Sequence, residues 1–128
     1  MILTFSRSHF FNEINKGTKI HTIRLDKTNR WKAGNKIHFW YGNPRNVKSN
    51  PYQFAFGKCT KVETIIIDFQ IEIVAYGNTK IYRFDELDVF AQNDGFENWD
   101  CLKDWFYEKN QRLDHGIFEG KIIFWELT

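Results

Sequence analysis

The feature that most constrains this chain is a run of strict alternation between Thr64 and Ala75. Ile65, Ile67, Phe69, Ile71 and Ile73 fall on one side, and Ile66, Asp68, Gln70, Glu72 and Val74 on the other. A period of two is that of an extended strand, whose successive side chains point to opposite faces. The run therefore predicts a half-buried strand over 64–75. Gly77-Asn78 follows, a pair that tolerates the positive φ of a two-residue hairpin turn, so residues 80–84 are expected to return beside it.

The segments around this hairpin decide the fold class. Phe10, Phe11 and Ile14 share one face of a predicted helix over 8–16, with Ser6 or Ser8 to cap its start and Gly17 to end it. Residues 19–25 (KIHTIRL) and 36–41 (KIHFWY) read as strands, and a third runs from Phe54 towards Val62. Between them, 42–51 (GNPRNVKSNP) holds both prolines of the chain and reads as a loop. Asp85 is expected to cap a short helix that turns Leu87, Phe90 and Ala91 inward and stops at 92–95. Asn98 is expected to cap another, with Trp99, Leu102, Trp105 and Phe106 as its apolar stripe, Asp100 in its first turn and Lys109 and Arg112 near its end. After a turn at His115-Gly116, the nearly continuous apolar run 121–127 (KIIFWEL) reads as a central strand. No strand–helix–strand alternation calls for a parallel sheet. The expectation is a β-rich α+β chain, one domain over 1–128, built as a small barrel of about five to six strands with two to three flanking helices.

Thirteen Phe, five Trp and five Tyr supply core mass for 128 residues. The two cysteines, Cys59 and Cys101, form no CxxC pair, which argues against a disulfide scaffold or zinc finger, and Cys59 is expected to be buried. The opening MILTFSRSHFF lacks a secretory apolar core, and Ile65-Ile66-Ile67 is far too short to span a membrane. A cytoplasmic location with no membrane partner is expected. The four histidines, His9, His21, His38 and His115, have no metal-ligand spacing, so no metal or cofactor is expected. His21 is expected on the strand face opposite Thr22, and Asp85, Glu86 and Asp88 read as ordinary helix-start acids.

Charge is distributed unevenly. Residues 1–64 hold twelve Lys/Arg against three Asp/Glu, a surplus of nine; residues 65–128 hold six against thirteen, a deficit of seven. Unless the halves pair their charges on folding, the first half supplies a basic surface that attracts phosphates. Its candidates are Lys27, Arg30, Lys32, Arg45 and Lys48, with Trp31 and Trp40 beside them as rings on which a base could stack.

A second cluster lies at the end of the first helix. Lys19, Thr22 and Arg24 gather beside Gly17. Thr22 and Arg24, two apart, share a strand face; Lys19 meets them only if it sits in a bend before the strand begins.

The run G-T-K-I-H-T-I-R over 17–24 resembles the G-x-K-x-x-x-x-R signature of ASCH domains. W-K-A-G-N-K-I over 31–37, A-Q-N-D-G-F over 91–96 and the final F-x-G-K-I-I-F-W resemble the rest of that layout across nearly the whole chain. ASCH domains are similar in fold to the PUA domains, small RNA-binding β-barrels. The resemblance implies a module that binds RNA or a modified nucleoside in a cleft containing Lys19, Thr22 and Arg24. Some compact members are amidohydrolases that deacylate N(4)-acetylcytidine. By that likeness Lys19 would be the proton acceptor, Thr22 the nucleophile and Asp94 the proton donor, in place of a glutamate one methylene longer. Since the lysine must take the threonine's proton, its pKa has to be lowered by burial or a nearby cation such as Arg24. A ribonuclease acting in the same basic cleft is a further alternative.

Overall fold

A computed structural model describes residues 1–6, 9–109 and 113–128. In chain order the elements are β1 (Ile2–Phe5), α1 (His9–Lys16), β2 (His21–Arg24), β3 (Lys36–Tyr41), a short 3-10 turn (Val47–Ser49), β4 (Tyr52–Asp68), β5 (Ile73–Tyr76), β6 (Thr79–Ile81), α2 (Phe84–Asn93), α3 (Trp99–Glu108) and β7 (Ile117–Leu127). The protein is a small β-rich α+β fold with seven strands in one mixed sheet and three helices. Ser8 and Arg112, expected at helix ends, lie outside the described residues.

β4 organises the sheet. Along one edge its first part pairs with β3 and its last part with β5, both antiparallel. Its other edge pairs antiparallel with β7 from Gly57↔Leu127 to Asp68↔Ile117. β7 in turn carries β2, while β1 lies parallel to β3 and β6 antiparallel to β5. The closing segment is thus central, as its apolar character predicts. The expected barrel is not formed, and there are seven strands rather than five to six: no ladder joins β1 to β2. What spans that gap is a side chain, the Arg24 guanidinium donating to the Thr4 carbonyl at 2.9 Å.

The alternating run does not make the single strand expected over 64–75. β4 ends at Asp68, whose Oδ1 accepts from the backbone N–H of Gln70 (2.9 Å) and Ile71 (3.2 Å). Glu72 has φ +58°, and the chain reverses into β5. The pairing Ile67↔Val74 puts an odd residue opposite an even one, so parity changes across the turn. Ile65, Ile67 and Phe69 are buried, but Ile71 is 65% exposed and Val74 is buried in place of Ile73. An aspartate that bonds its own backbone two residues on is a turn former, and here it overrides the alternation. The hairpin at Gly77-Asn78 forms, closing Tyr76↔Thr79, but its returning strand is Thr79–Ile81 rather than 80–84, because α2 begins at Phe84.

A bulge between Cys59 and Lys61 shifts the β4–β7 register by one. Along β7 the buried residues accordingly change from even, Phe118 and Ile122, to odd with Ile123. This lets one twisted sheet bury one surface against α2 and α3 and another around Phe5, Phe10 and Phe39. Cys59 is fully buried, as expected. α3 carries the predicted cap, the Asn98 side chain accepting from Cys101 N–H at 2.9 Å. In α2, Leu87, Phe90 and Ala91 are buried as expected, but Arg83 occupies the cap position and Asp85 lies in the first turn, bonded to Arg83 at 3.4 Å. No helix of the described residues is long and apolar enough to cross a membrane.

Candidate functional site

The end of α1 creates the first half of the site. Gly17, at φ +82°, turns the chain, and the N–H groups of Thr18 and Lys19 both bond the Glu13 carbonyl at 3.0 Å. β2 does not start until His21, so Lys19 occupies a bend. That is the geometry required for it to approach the β2 side chains. The end of α2 supplies the other half: Ile20 N–H donates to the Asn93 carbonyl at 2.8 Å, which places Asp94 against β2.

Lys19 is 1% exposed, among the most buried side chains of the protein. Its Nζ donates to the His21 carbonyl at 2.8 Å and the Asp94 carbonyl at 2.5 Å, and lies 3.7 Å from Asp94 Oδ1. Around it stand the rings of Phe10 (4.7 Å to the centroid), Phe5 (5.7 Å) and Trp125 (5.9 Å). Burial in this apolar surround, opposed by the Asp94 charge and reinforced by the Arg24 charge, lowers the Lys19 pKa from 10.5 to about 8. Gly95 makes the close packing possible: at φ +93°, a Cβ there would lie 2.7 Å from Phe10 and 2.8 Å from the Lys19 stem.

Asp94 is 4% exposed, and its carboxyl turns to His21, with Oδ1 2.8 Å from Nδ1. The shorter acid is therefore engaged by the imidazole more closely than by the lysine. His21 itself is buried, stacked on Phe90 and edge-on to Phe124, both at 5.2 Å between centroids. Sequence reasoning passed over His21 because its partner lies 73 positions away; the one local signal was its place inside the Lys19–Arg24 motif. Thr22 is buried beside Ile123 of β7. Arg24 is partly buried, with its guanidinium 5.2 Å from the Phe5 ring centroid. The structure thus brings Lys19, Arg24 and Asp94 to one corner, at the meeting of α1, β2 and the end of α2, with Thr22 buried on the same short strand.

The remaining sequence candidates are not there. Arg30, Trp40 and Arg45 line a cleft of about 680 Å³ on the outer face of β1 and β3, with His38, Thr4 and Gln53. A neighbouring cleft of about 660 Å³ shares His38 and adds Lys36, Lys58 and Phe56. Phe56 is 55% exposed and packs edge-on against His38 at 5.4 Å. Lys36 and Lys58 lie directly opposite on the β3–β4 ladder, an arrangement of like charges that costs stability. His38, Lys36, Lys58 and Phe56 were missed in the sequence because only strand register places them on one face. Lys27 lies elsewhere, in a cleft with Asp26, Glu119 and Lys121. Lys32 and Lys48 are exposed in turns. Trp31 is a correction: it is buried in the core and presents no ring to a base.

The two halves of the chain do not neutralise each other. Among the described residues, the one Lys/Arg–acid ion pair joining the first half to the second is Lys19–Asp94; the others are Lys61–Glu63, Arg83–Asp85 and Lys103–Glu72. Arg30, Lys36, Arg45 and Lys58 form no ion pair among the described residues, although Lys58 has Glu126 opposite it on the β4–β7 ladder. Among the described residues no three His, Cys, Asp or Glu side chains gather as a metal site. Comparison of the chain with family models, characterised proteins and solved structures finds no match.

Proposed function

We propose that this chain is an ASCH-type, PUA-like module that binds RNA through the outer face of β1, β3 and the first part of β4. The observation that carries the reading is the set of cations there that form no ion pair among the described residues, Arg30, Arg45, Lys36 and Lys58, ranged around Trp40, Phe56 and His38. Cations that track a phosphate backbone beside rings that accept a base are the elements of single-strand recognition. The motif over 17–24 supports the family reading.

Fluorescence anisotropy with a labelled single-stranded RNA tests it. Each phosphate contact to a single strand adds about 0.7 to the slope of log affinity against log salt. Arg30→Glu/Arg45→Glu should therefore flatten that slope by about 1.4, and Trp40→Ala should weaken binding by roughly 1–3 kcal/mol at any salt. Unchanged affinity and slope in the double variant would refute the proposal.

A second reading is favoured by the Lys19 pKa: deacylation of N(4)-acetylcytidine at the buried corner. With a pKa of about 8, about a tenth of the lysine is neutral at pH 7, enough to act as a base. Lys19 would take the proton of Thr22, whose oxygen adds to the acetyl carbonyl. The C–N bond would break as the proton taken up by Lys19 passes by way of Asp94, 3.7 Å from Nζ, to the leaving amine, and water would then hydrolyse the acetyl ester, releasing acetate and restoring the Thr22 hydroxyl. Chromatography after incubation with N(4)-acetylcytidine decides: cytidine released by wild type but not by Thr22→Val supports the reading, and no release removes it.

A further inference from the structure

Two side chains compete for one oxygen. Asp94 Oδ1 lies 2.8 Å from His21 Nδ1 and 3.7 Å from Lys19 Nζ. The lysine is the farther of the two, although the attraction of opposite charges grows as they approach. The backbone does not hold the two groups apart. Asp94 ends α2, and its own carbonyl accepts from Lys19 Nζ at 2.5 Å, so the amine already touches the root of the acid. What draws the carboxyl aside is the imidazole. His21 opens β2 in register with Phe124 of β7, and its ring lies 5.2 Å from the centroids of both Phe90 and Phe124. It is 2% exposed, so those rings clamp it. A carboxylate can only accept, so the bond to Nδ1 sets the ring proton on that nitrogen.

We propose that His21 is a positioning residue, which draws the Asp94 carboxyl off Lys19 and so keeps the buried amine from being locked in an ion pair. Among the described residues, only Lys19 and His21 bond or pair with the Asp94 side chain. Around Lys19 the other charge is Arg24, which opposes protonation, beside the rings of Phe5, Phe10 and Trp125. Glu13 of α1 is turned to the Thr18 hydroxyl. On the far side of the His21 ring, Tyr76, Glu86 and Asp85, the last paired with Arg83, line the pocket between α2 and the β5–β6 hairpin. Lys61 lies over the Phe124 ring at 4.5 Å. The effect on Lys19 stands by itself. Its bearing on catalysis rests on the deacylation reading, in which a neutral Lys19 takes the proton of Thr22.

An NMR titration of Lys19 in the full chain, labelled with 13C at lysine Cε, tests the proposal; the Lys19 signal is the one missing in Lys19→Met. Closing the Lys19–Asp94 distance from 3.7 Å to about 2.8 Å, at an effective dielectric constant of about 20, strengthens the attraction by the equivalent of about one pH unit. His21→Phe keeps a ring between Phe90 and Phe124 but has no donor, so the Lys19 midpoint should rise by about one unit from its value of about 8. His21→Asn supplies an amide donor in place of Nδ1 and should leave the midpoint where it is. An unchanged or lower midpoint in His21→Phe, or an equal rise in both variants, would overturn the proposal. Wild type offers a check that needs no substitution. Long-range 1H–15N correlation should place the neutral His21 proton on Nδ1, and a proton on Nε2 alone would overturn the proposal. With N(4)-acetylcytidine, the rising limb of kcat against pH should move up with the Lys19 midpoint in His21→Phe and stay in place in His21→Asn. Absence of cleavage by wild type removes the deacylation reading alone, and the Lys19 midpoints still decide the role of His21.

Discussion

Replacing Lys19 by Met should change how stability depends on pH. The side chain is buried and its pKa falls from an ordinary 10.5 in the unfolded chain to about 8 in the fold. Below pH 8 both states carry the proton, and the fold bears the full cost of the buried charge. Above 10.5 neither state carries it and the cost disappears. Between those limits the unfolded chain binds more protons, so stability rises with pH. At ~1.4 kcal/mol for each tenfold change in proton affinity, the whole effect is about 3 kcal/mol, of which about 2–3 kcal/mol falls between pH 7 and pH 10. The neighbouring window is not silent. Burial raises the pKa of Cys59 and Tyr76, which makes their contribution fall as pH rises. The difference between wild type and Lys19→Met removes those shared terms. Urea unfolding of both proteins at pH 7, 8, 9 and 10 should show wild type gaining about 2–3 kcal/mol on the variant. A constant difference, or a loss by wild type, would refute the argument that burial outweighs the pull of Asp94 on this amine.

Two further substitutions probe the local geometry. Gly95→Ala forces a left-handed residue and a Cβ at 2.7 Å from the Phe10 ring, and should lower the unfolding free energy by about 1–3 kcal/mol in denaturant titration; a neutral result would show that the corner repacks freely. Ile65→Ala should cost roughly 2–5 kcal/mol, whereas Ile71→Ala, at an exposed turn position, should stay within about 0.5 kcal/mol. Equal costs would restore the continuous strand that the alternation predicts.

Elements with local causes were legible. α3 is set by the Asn98 cap and the stripe of Trp99, Leu102 and Phe106, β3 by KIHFWY, and the β5–β6 turn by Gly77-Asn78. For α3 and the β5–β6 turn the defining bonds lie within a few residues; β3 was legible from its β-branched and aromatic run, although its ladders reach β1 and β4. The break at Asp68 was written in the sequence but hidden, since an aspartate inside an alternating run reads equally as an outward strand residue. Whether its carboxyl turns back on Gln70 and Ile71 depends on how β5 packs against β4.

The site divides in the same way. The sequence by itself determined the helix end at Gly17 and the surplus of cations in residues 1–64, while the bend at Lys19 came from the structure, which starts β2 at His21. Only the tertiary structure decided that Asp94 reaches His21 across 73 positions, that Arg24 fills the gap between β1 and β2 where a closed barrel would have a ladder, and that Trp31 is core while Phe56 is surface. The reason is physical. A turn or a cap is fixed by torsions and hydrogen bonds between neighbours, whereas the pairing of buried charges depends on which elements share the one sheet. The register shift at Cys59 and Lys61, a single extra residue in β4, sets which side chains of β7 face each side of that sheet.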